Sequence, residues 1–169
     1  VKTLNRELPA QEDLWDIAAR INDPEIPVLS IAELGILRAV EAAEHGVKVT
    51  ITPTYSGCPA MDAIRTDLIS EFRKEGLAAQ VELVLAPAWT TDWMSESGKA
   101  KLAEYGIAPP TGRSGVGSQS GPVRLNLAVK CPQCDSLDTR ELTRFGSTSC
   151  KALYQCQECR EPFDYFKVH

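Results

Sequence analysis

The chain has 169 residues, of which 43% are hydrophobic and 24% charged, and a formal net charge of −5. That length holds one good core plus a small module, and the composition is that of a globular rather than a disordered chain. No apolar run approaches the roughly 20 residues needed to cross a bilayer, the first residues form no signal-peptide segment, and the acidic balance argues against wholesale phosphate binding, so the expectation is a cytoplasmic protein whose partners are neither membranes nor nucleic acids.

The charge is unevenly spread. Residues 1–108 carry ten Lys/Arg against seventeen Asp/Glu, whereas residues 109–169 carry eight against six. In chain order, residues 11–22 place Leu14, Ile17, Ala18 and Ile21 on one face behind Glu12 and Asp13, an amphipathic helix that should stop at Asp23-Pro24. Pro24 and Pro27 then stiffen a loop that carries Asp23 and Glu25, which on local grounds read as solvated turn carboxylates. Ser30 and Glu33 have capping-box spacing before a short helical turn closed by Gly35. Segments 36–44 and 47–54 flank His45-Gly46 as a hairpin.

The stretch from Val47 to Glu75 is the most informative. Val47, Val49 and Ile51 alternate with polar residues as in a half-buried strand. Met61, Ile64, Leu68, Ile69 and Phe72 then follow a helical stripe over residues 59–75. Pro59 suits the first helical position, which puts Cys58 at the N-cap. There its sulfur should face unpaired amides and the positive end of the helix dipole, both favouring thiolate, with Asp62 opposing. The expectation is an ionisable sulfur presented outward at the helix start. The alternative is a small buried hydrophobe at a tight turn.

A third strand is expected over Val81–Ala86, giving an α+β domain: a compact three-stranded sheet with helices on one face. In residues 87–108, Thr91 or Asp92 should cap one turn and Ser95 a helix through Glu104. Trp89, Trp93 and Met94 either complete the core, the commoner use of aromatics, or form a partner surface. Residues 109–122, rich in Pro, Gly and Ser, predict a flexible linker between a domain at 1–108 and a module at 123–169.

That module contains Cys131-Pro-Gln-Cys134 and Cys156-Gln-Glu-Cys159, separated by 21 residues. Two such knuckles supply four thiolates in a tetrahedron, and the strand-like segments around them predict a small β zinc ribbon. Zn2+ is the default occupant, and a rubredoxin-like iron uses the same four sulfurs. So small a module draws folding energy from its metal. Cys150 is the odd sulfur and is expected to pack, the alternative being a thiol for redox or exchange; His169 is not expected to be a ligand.

The residues Asp23-Pro-Glu-Ile-Pro-Val28, Gly35 and Thr54-Tyr-Ser-Gly-Cys-Pro59 resemble the SufT-like family of iron–sulfur assembly proteins over roughly residues 11–86. With the tryptophan segment, the linker and the ribbon added, the chain is similar over nearly its full length to a family of phenylacetate-degradation accessory proteins. The resemblance implies an accessory component of the multicomponent oxygenase that epoxidises the ring of phenylacetyl-CoA, assisting delivery of iron or an iron–sulfur cluster. It implies Cys58 as the reactive or metal-contacting sulfur, Asp23 and Glu25 as its carboxylate neighbours, and Thr54 as a shaper of the loop. Oxygenase and reductase subunits would be its partners. One cysteine cannot hold a cluster alone, so a second protomer or a client would supply further ligands. Competing readings are a docking or regulatory subunit in which Cys58 is idle, and a nucleic-acid-binding ribbon using Arg140, Arg144, Lys151 and Arg160. A thiol-dependent enzyme lacks a placed base, since His45 sits at a hairpin turn.

Overall fold

A computed structural model of the chain describes residues 9–111 and 128–168. The alternating segments form β1 (Leu37–Ala43) and β2 (Gly46–Ile51), an antiparallel hairpin, and β3 (Ala79–Leu83) adds to β2 in parallel. A parallel step needs a crossover, which α2 (Ala60–Lys74) supplies. Gly46 turns the hairpin at φ 135°, where a β-carbon would run into the Ala78 carbonyl. α1 (Gln11–Ala19) buries Leu14, Ile17 and Ala18, and α2 buries Met61, Ile64, Leu68 and Phe72. Both join the core that includes Val47, Val49 and Ile51 of β2. This is the predicted α+β sheet with its helices on one face.

Local chemistry explains most element ends. Ser30 Oγ accepts from the Glu33 N–H and Glu33 Oε2 accepts from the Ser30 N–H, both at 3.1 Å, the reciprocal pair expected of a capping box. α1 ends earlier than its apolar stripe suggests. Asn22 is drawn into a bridge with Ser30, and the Asp23 N–H donates to Leu29 O at 2.9 Å, so the chain is committed to the loop before Pro24 is reached. After β3, a 3-10 turn (Thr91–Trp93) is capped by Thr90 Oγ1 rather than by Thr91 or Asp92. Then α3 (Glu96–Glu104) starts from Ser95, whose Oγ accepts the Gly98 N–H.

The tryptophan segment completes the core. Trp89 and Met94 are buried, and the Trp89 Nε1–H donates to Leu34 O at 3.0 Å. Trp93 is half-buried with the Arg38 guanidinium 3.5 Å over its ring.

The second sheet has the order β4-β7-β6-β5, with β4 at Ile107–Ala108, β5 at Thr139–Thr143, β6 at Lys151–Cys156 and β7 at Pro162–Phe166. β5, β6 and β7 are the ribbon, and β4 belongs to the chain before the linker yet pairs in parallel with β7. Thr111 continues the contact through the Tyr165 hydroxyl. Phe166 and Cys150 are members of the first domain's core, and the Phe166 ring lies 6.0 Å from that of Trp89. The ribbon is therefore docked on the first domain. Residues 112–122 of the predicted linker, and His169, lie outside the described residues. No helix among the described residues is long and apolar enough to cross a membrane.

Candidate functional site

The ribbon knuckles gather Cys131, Cys134, Cys156 and Cys159 so that their sulfurs all lie within 4.8 Å of one another. Cys131 Sγ is 3.8 Å from Cys159 Sγ, and Cys134 Sγ is 3.5 Å from Cys156 Sγ. Four sulfurs at about 2.3 Å from a tetrahedral Zn2+ would be about 3.8 Å apart, so the spacing fits that ion. The Gln133 N–H points at Cys131 Sγ from 3.4 Å, so a backbone donor reaches one of the four sulfurs. The residue after each second cysteine, Asp135 and Arg160, has φ of 64° and 68°, so both knuckles close through the same left-handed step.

The second site lies where α2 begins. The helix starts one residue later than the sequence suggested, at Ala60 with Pro59 rather than Cys58 at the N-cap, and the Cys58 sulfur receives the Ala60 N–H while Cys58 O accepts the Met61 N–H at 3.3 Å. The Thr54 hydroxyl also bonds the sulfur. Asp23 Oδ1 accepts the N–H groups of Glu25 and Ile26 at 2.8 and 2.9 Å, so this carboxylate holds its own loop. Glu25 is half-buried and free of such bonds among the described contacts, and it and Asp23 both act electrostatically on Cys58. The structure thus brings Asp23, Glu25, Thr54 and Cys58 to one place.

The outward-facing thiolate expected from the sequence is not what forms. Cys58 is only 8% exposed. Burial pushes its thiol above the ordinary value, the negative neighbours Glu25 and Asp23 add to that, and the Ala60 N–H and Thr54 hydroxyl only partly offset it. Burial likewise raises the Asp23 and Glu25 carboxyls, with Asp23 adding to the rise at Glu25 and Lys151 opposing both. One helix-end amide, that of Ala60, does reach the sulfur, but tertiary burial outweighs it.

The ribbon closes this site. Tyr55, beside Cys58, hydrogen-bonds the Ser149 side chain. Cys150, 4% exposed and bonded by Thr148 Oγ1 at 3.0 Å, feels Glu25, and burial raises its thiol also. Lys151 is buried, with Asp164 Oδ2 at 3.8 Å. Sequence reasoning placed Ser149 and Lys151 nowhere near Cys58 and gave Tyr55, three residues before it, no role. No local pattern links residues so far apart in the chain. The available signal was the unexplained sixth cysteine followed by a lysine at the start of a buried strand.

Comparison with known proteins gives a family match in each half of the chain. Residues 11–84 match the family described as iron-sulfur cluster assembly protein, and residues 117–167 match the PaaD zinc beta ribbon domain. An Escherichia coli protein, named as one subunit of a "Putative 1,2-phenylacetyl-CoA epoxidase", is 46% identical over 160 residues, 94% of this chain and 93% of its own. A Porphyromonas gingivalis "Fe-S protein maturation auxiliary factor" is 34% identical over 101 residues, 58% of this chain and 95% of its own. Among solved structures, a domain of unknown function, DUF59, from Bacillus anthracis superposes with a TM-score of 0.51 at 27% identity, covering 54% of this chain and 90% of that one.

Proposed function

The chain belongs to the family of that Escherichia coli epoxidase component, in which an iron–sulfur assembly domain is joined to a zinc ribbon, and from that premise we propose that it is an accessory protein that hands iron or an iron–sulfur cluster to the phenylacetyl-CoA-epoxidising oxygenase or its reductase. The observation that carries this reading is the convergence of Cys58, Thr54, Asp23 and Glu25 at one site of the assembly domain. Cys58 is the sulfur that contacts the cargo. Glu25 is the adjacent carboxylate free to swing toward it, Asp23 fixes the loop that carries Glu25, and the Thr54 hydroxyl holds the sulfur in place. A thiol resting in its protonated form releases its proton only as cargo binds, so the site gives metal up readily when protonated again. Few ligands and a proton competing for the sulfur suit a donor better than a store.

Zn2+ in the ribbon is structural in this account: Cys131, Cys134, Cys156 and Cys159 hold it, and it supplies folding energy to a small sheet. The oxygenase and reductase subunits are the partners, in the cytoplasm, with a client or a second protomer completing the ligand set of a transferred cluster. Replacing Cys58 by Ala tests the reading. With the far-ultraviolet circular dichroism unchanged, ring epoxidation in cells and the cluster content of the reductase should both fall. Unchanged values would remove the role.

The burial of Cys58 favours a second reading, a docking or regulatory subunit with an idle thiol. It requires co-purification with the oxygenase and no effect of the Cys58→Ala change on cluster content.

A further inference from the structure

Among the described residues β3 is an edge of the first sheet, with β2 as its one strand partner. The Val84 N–H donates to Ile51 O at 2.9 Å and Ala78 O accepts the Val47 N–H at 2.8 Å, so the even-numbered residues turn their backbone groups toward β2. Those of Ala79, Val81 and Leu83 therefore face outward. Arg65 Nη2–H reaches one of them, Val81 O, at 2.8 Å. Leu83 is 45% and Leu85 58% exposed, and no side chain from Leu83 to Ala88 is polar. Strand alternation puts Leu83 on the same face as buried Val81, the face that α2 covers. A bare apolar edge is a template for a further strand. At the other end of this edge, Ile69, Arg73, Leu77 and Ala79 line a groove between α2 and β3.

We infer that a second copy of this chain docks on this edge, β3 against β3 and antiparallel about a two-fold axis, so that two three-stranded sheets become one. With the axis at Val81, Leu83 falls opposite the partner's Ala79 and Leu85 opposite the partner's Leu77, so the leucines of each copy enter the groove of the other. Glu82 falls opposite the partner's Gln80, which avoids a like-charge pair. An isologous contact requires one patch to carry both projection and socket, and this edge has them at its two ends. Charge on α2 agrees. Asp62 and Arg65 are three apart on one helix face, and Asp62 takes part in none of the ion pairs among the described residues. The Arg65–Val81 bond sets Arg65 near the axis, where the two α2 helices run antiparallel and each Asp62 faces the partner's Arg65. A client strand could satisfy the backbone groups alone; the matched leucines, groove and opposed charges are supplied by this chain. The arrangement also bears on transfer. Cys58 precedes Arg65 by seven residues, about 10 Å of helix, so the two Cys58 sites stand about 20 Å apart on opposite sides of the axis. No single ion or small cluster spans that separation, and the ligands that complete a transferred cluster come from the client.

That consequence rests on the role proposed for Cys58; the dimer does not, and its test leaves that role untouched. Sedimentation equilibrium of the full chain, with zinc in the ribbon, gives the mass of the wild type, Leu83→Lys and Leu85→Lys over a wide range of concentration. Both leucines are exposed, so the circular dichroism of the variants should match that of the wild type. Hydrogen exchange at the Val81 and Leu83 amides, read by NMR, locates the contact. The expected result is twice the chain mass in the wild type with both amides protected, and a halved mass with fast exchange at both in either variant. A wild type of single-chain mass overturns the inference. A dimer that survives both substitutions with the two amides exchanging fast overturns it as well, because the contact then lies on another face. A monomer that loses a co-purifying oxygenase or reductase subunit on Leu85→Lys assigns the edge to the client and likewise overturns the second copy.

Discussion

Asp23 Oδ1 closes the 23–26 loop by accepting two backbone N–H groups, which makes the acceptor oxygen, not the charge, its structural contribution. Asp23→Ala leaves the Glu25 amide unpaired and the Ile26 amide with only its 3.3 Å bond to the Asp23 carbonyl, and should cost about 1–3 kcal/mol in urea unfolding. Asp23→Asn keeps the acceptor and should recover most of that loss. Cys58 makes a prediction in pH. Its folded-state thiol is raised above the ordinary 9.0, chiefly by burial. As pH climbs past 9.0 the unfolded chain loses this proton first, so the group's contribution to stability is intact below 9.0 and drains away above it, by up to about 1.4 kcal/mol per pH unit. Cys58→Ala removes the titrating group, so the gap in unfolding free energy between wild type and variant should shrink as pH rises above 9.0. A constant gap would contradict the burial assignment. The sequence located this cysteine at the head of a helix from Pro59 and the apolar stripe behind it. It could not report the protonation preference, because the capping amide is supplied locally while burial comes from a core assembled from distant parts of the chain.

At the scale of elements, backbone geometry is decisive at a few joints. Gly35 ends the capping-box turn at φ 77°, and a β-carbon there would lie 2.7 Å from Trp93 Cβ and O. Gly35→Ala therefore combines strain with a clash and should destabilise by at least about 1–3 kcal/mol in thermal or urea unfolding. In the second knuckle Arg160 adopts φ of 68°, and its replacement by Gly should raise the stability of the metal-loaded protein by about 1 kcal/mol. The capping box at Ser30 and Glu33, the two long apolar stripes, the hairpin and the paired knuckles were all legible in the sequence, since each depends on residues a few positions apart. The early end of α1 was not. It is set by the Asn22–Ser30 bridge and the Asp23–Leu29 hydrogen bond, which override a stripe that continues to Ile21.

At the scale of the whole molecule, the ribbon and the assembly domain share a core and a β-ladder. Ile107–Ala108 pairs with β7, and Phe166 and Cys150 pack among residues of the first domain. A composition shift at the Pro/Gly/Ser stretch suggested a linker between a domain and a small module; the pairing across that stretch is long-range and leaves no periodic mark. Stripping the ribbon metal with a chelator should therefore disturb more than the ribbon: tryptophan emission should change as Phe166 leaves Trp89, and Cys150 should become open to alkylation. An unchanged emission spectrum would mean that docking survives without the metal. Joining the modules also places the 148–151 turn against the Cys58 site, so the ribbon cysteines and the Cys58 site are mechanically linked. The most direct measurement of the central claim is iron and labile sulfide in anaerobically purified wild type and Cys58→Ala. Iron beyond the ribbon metal, present in the wild type and lost in the variant, is the predicted result; equal iron in the two proteins would contradict the account.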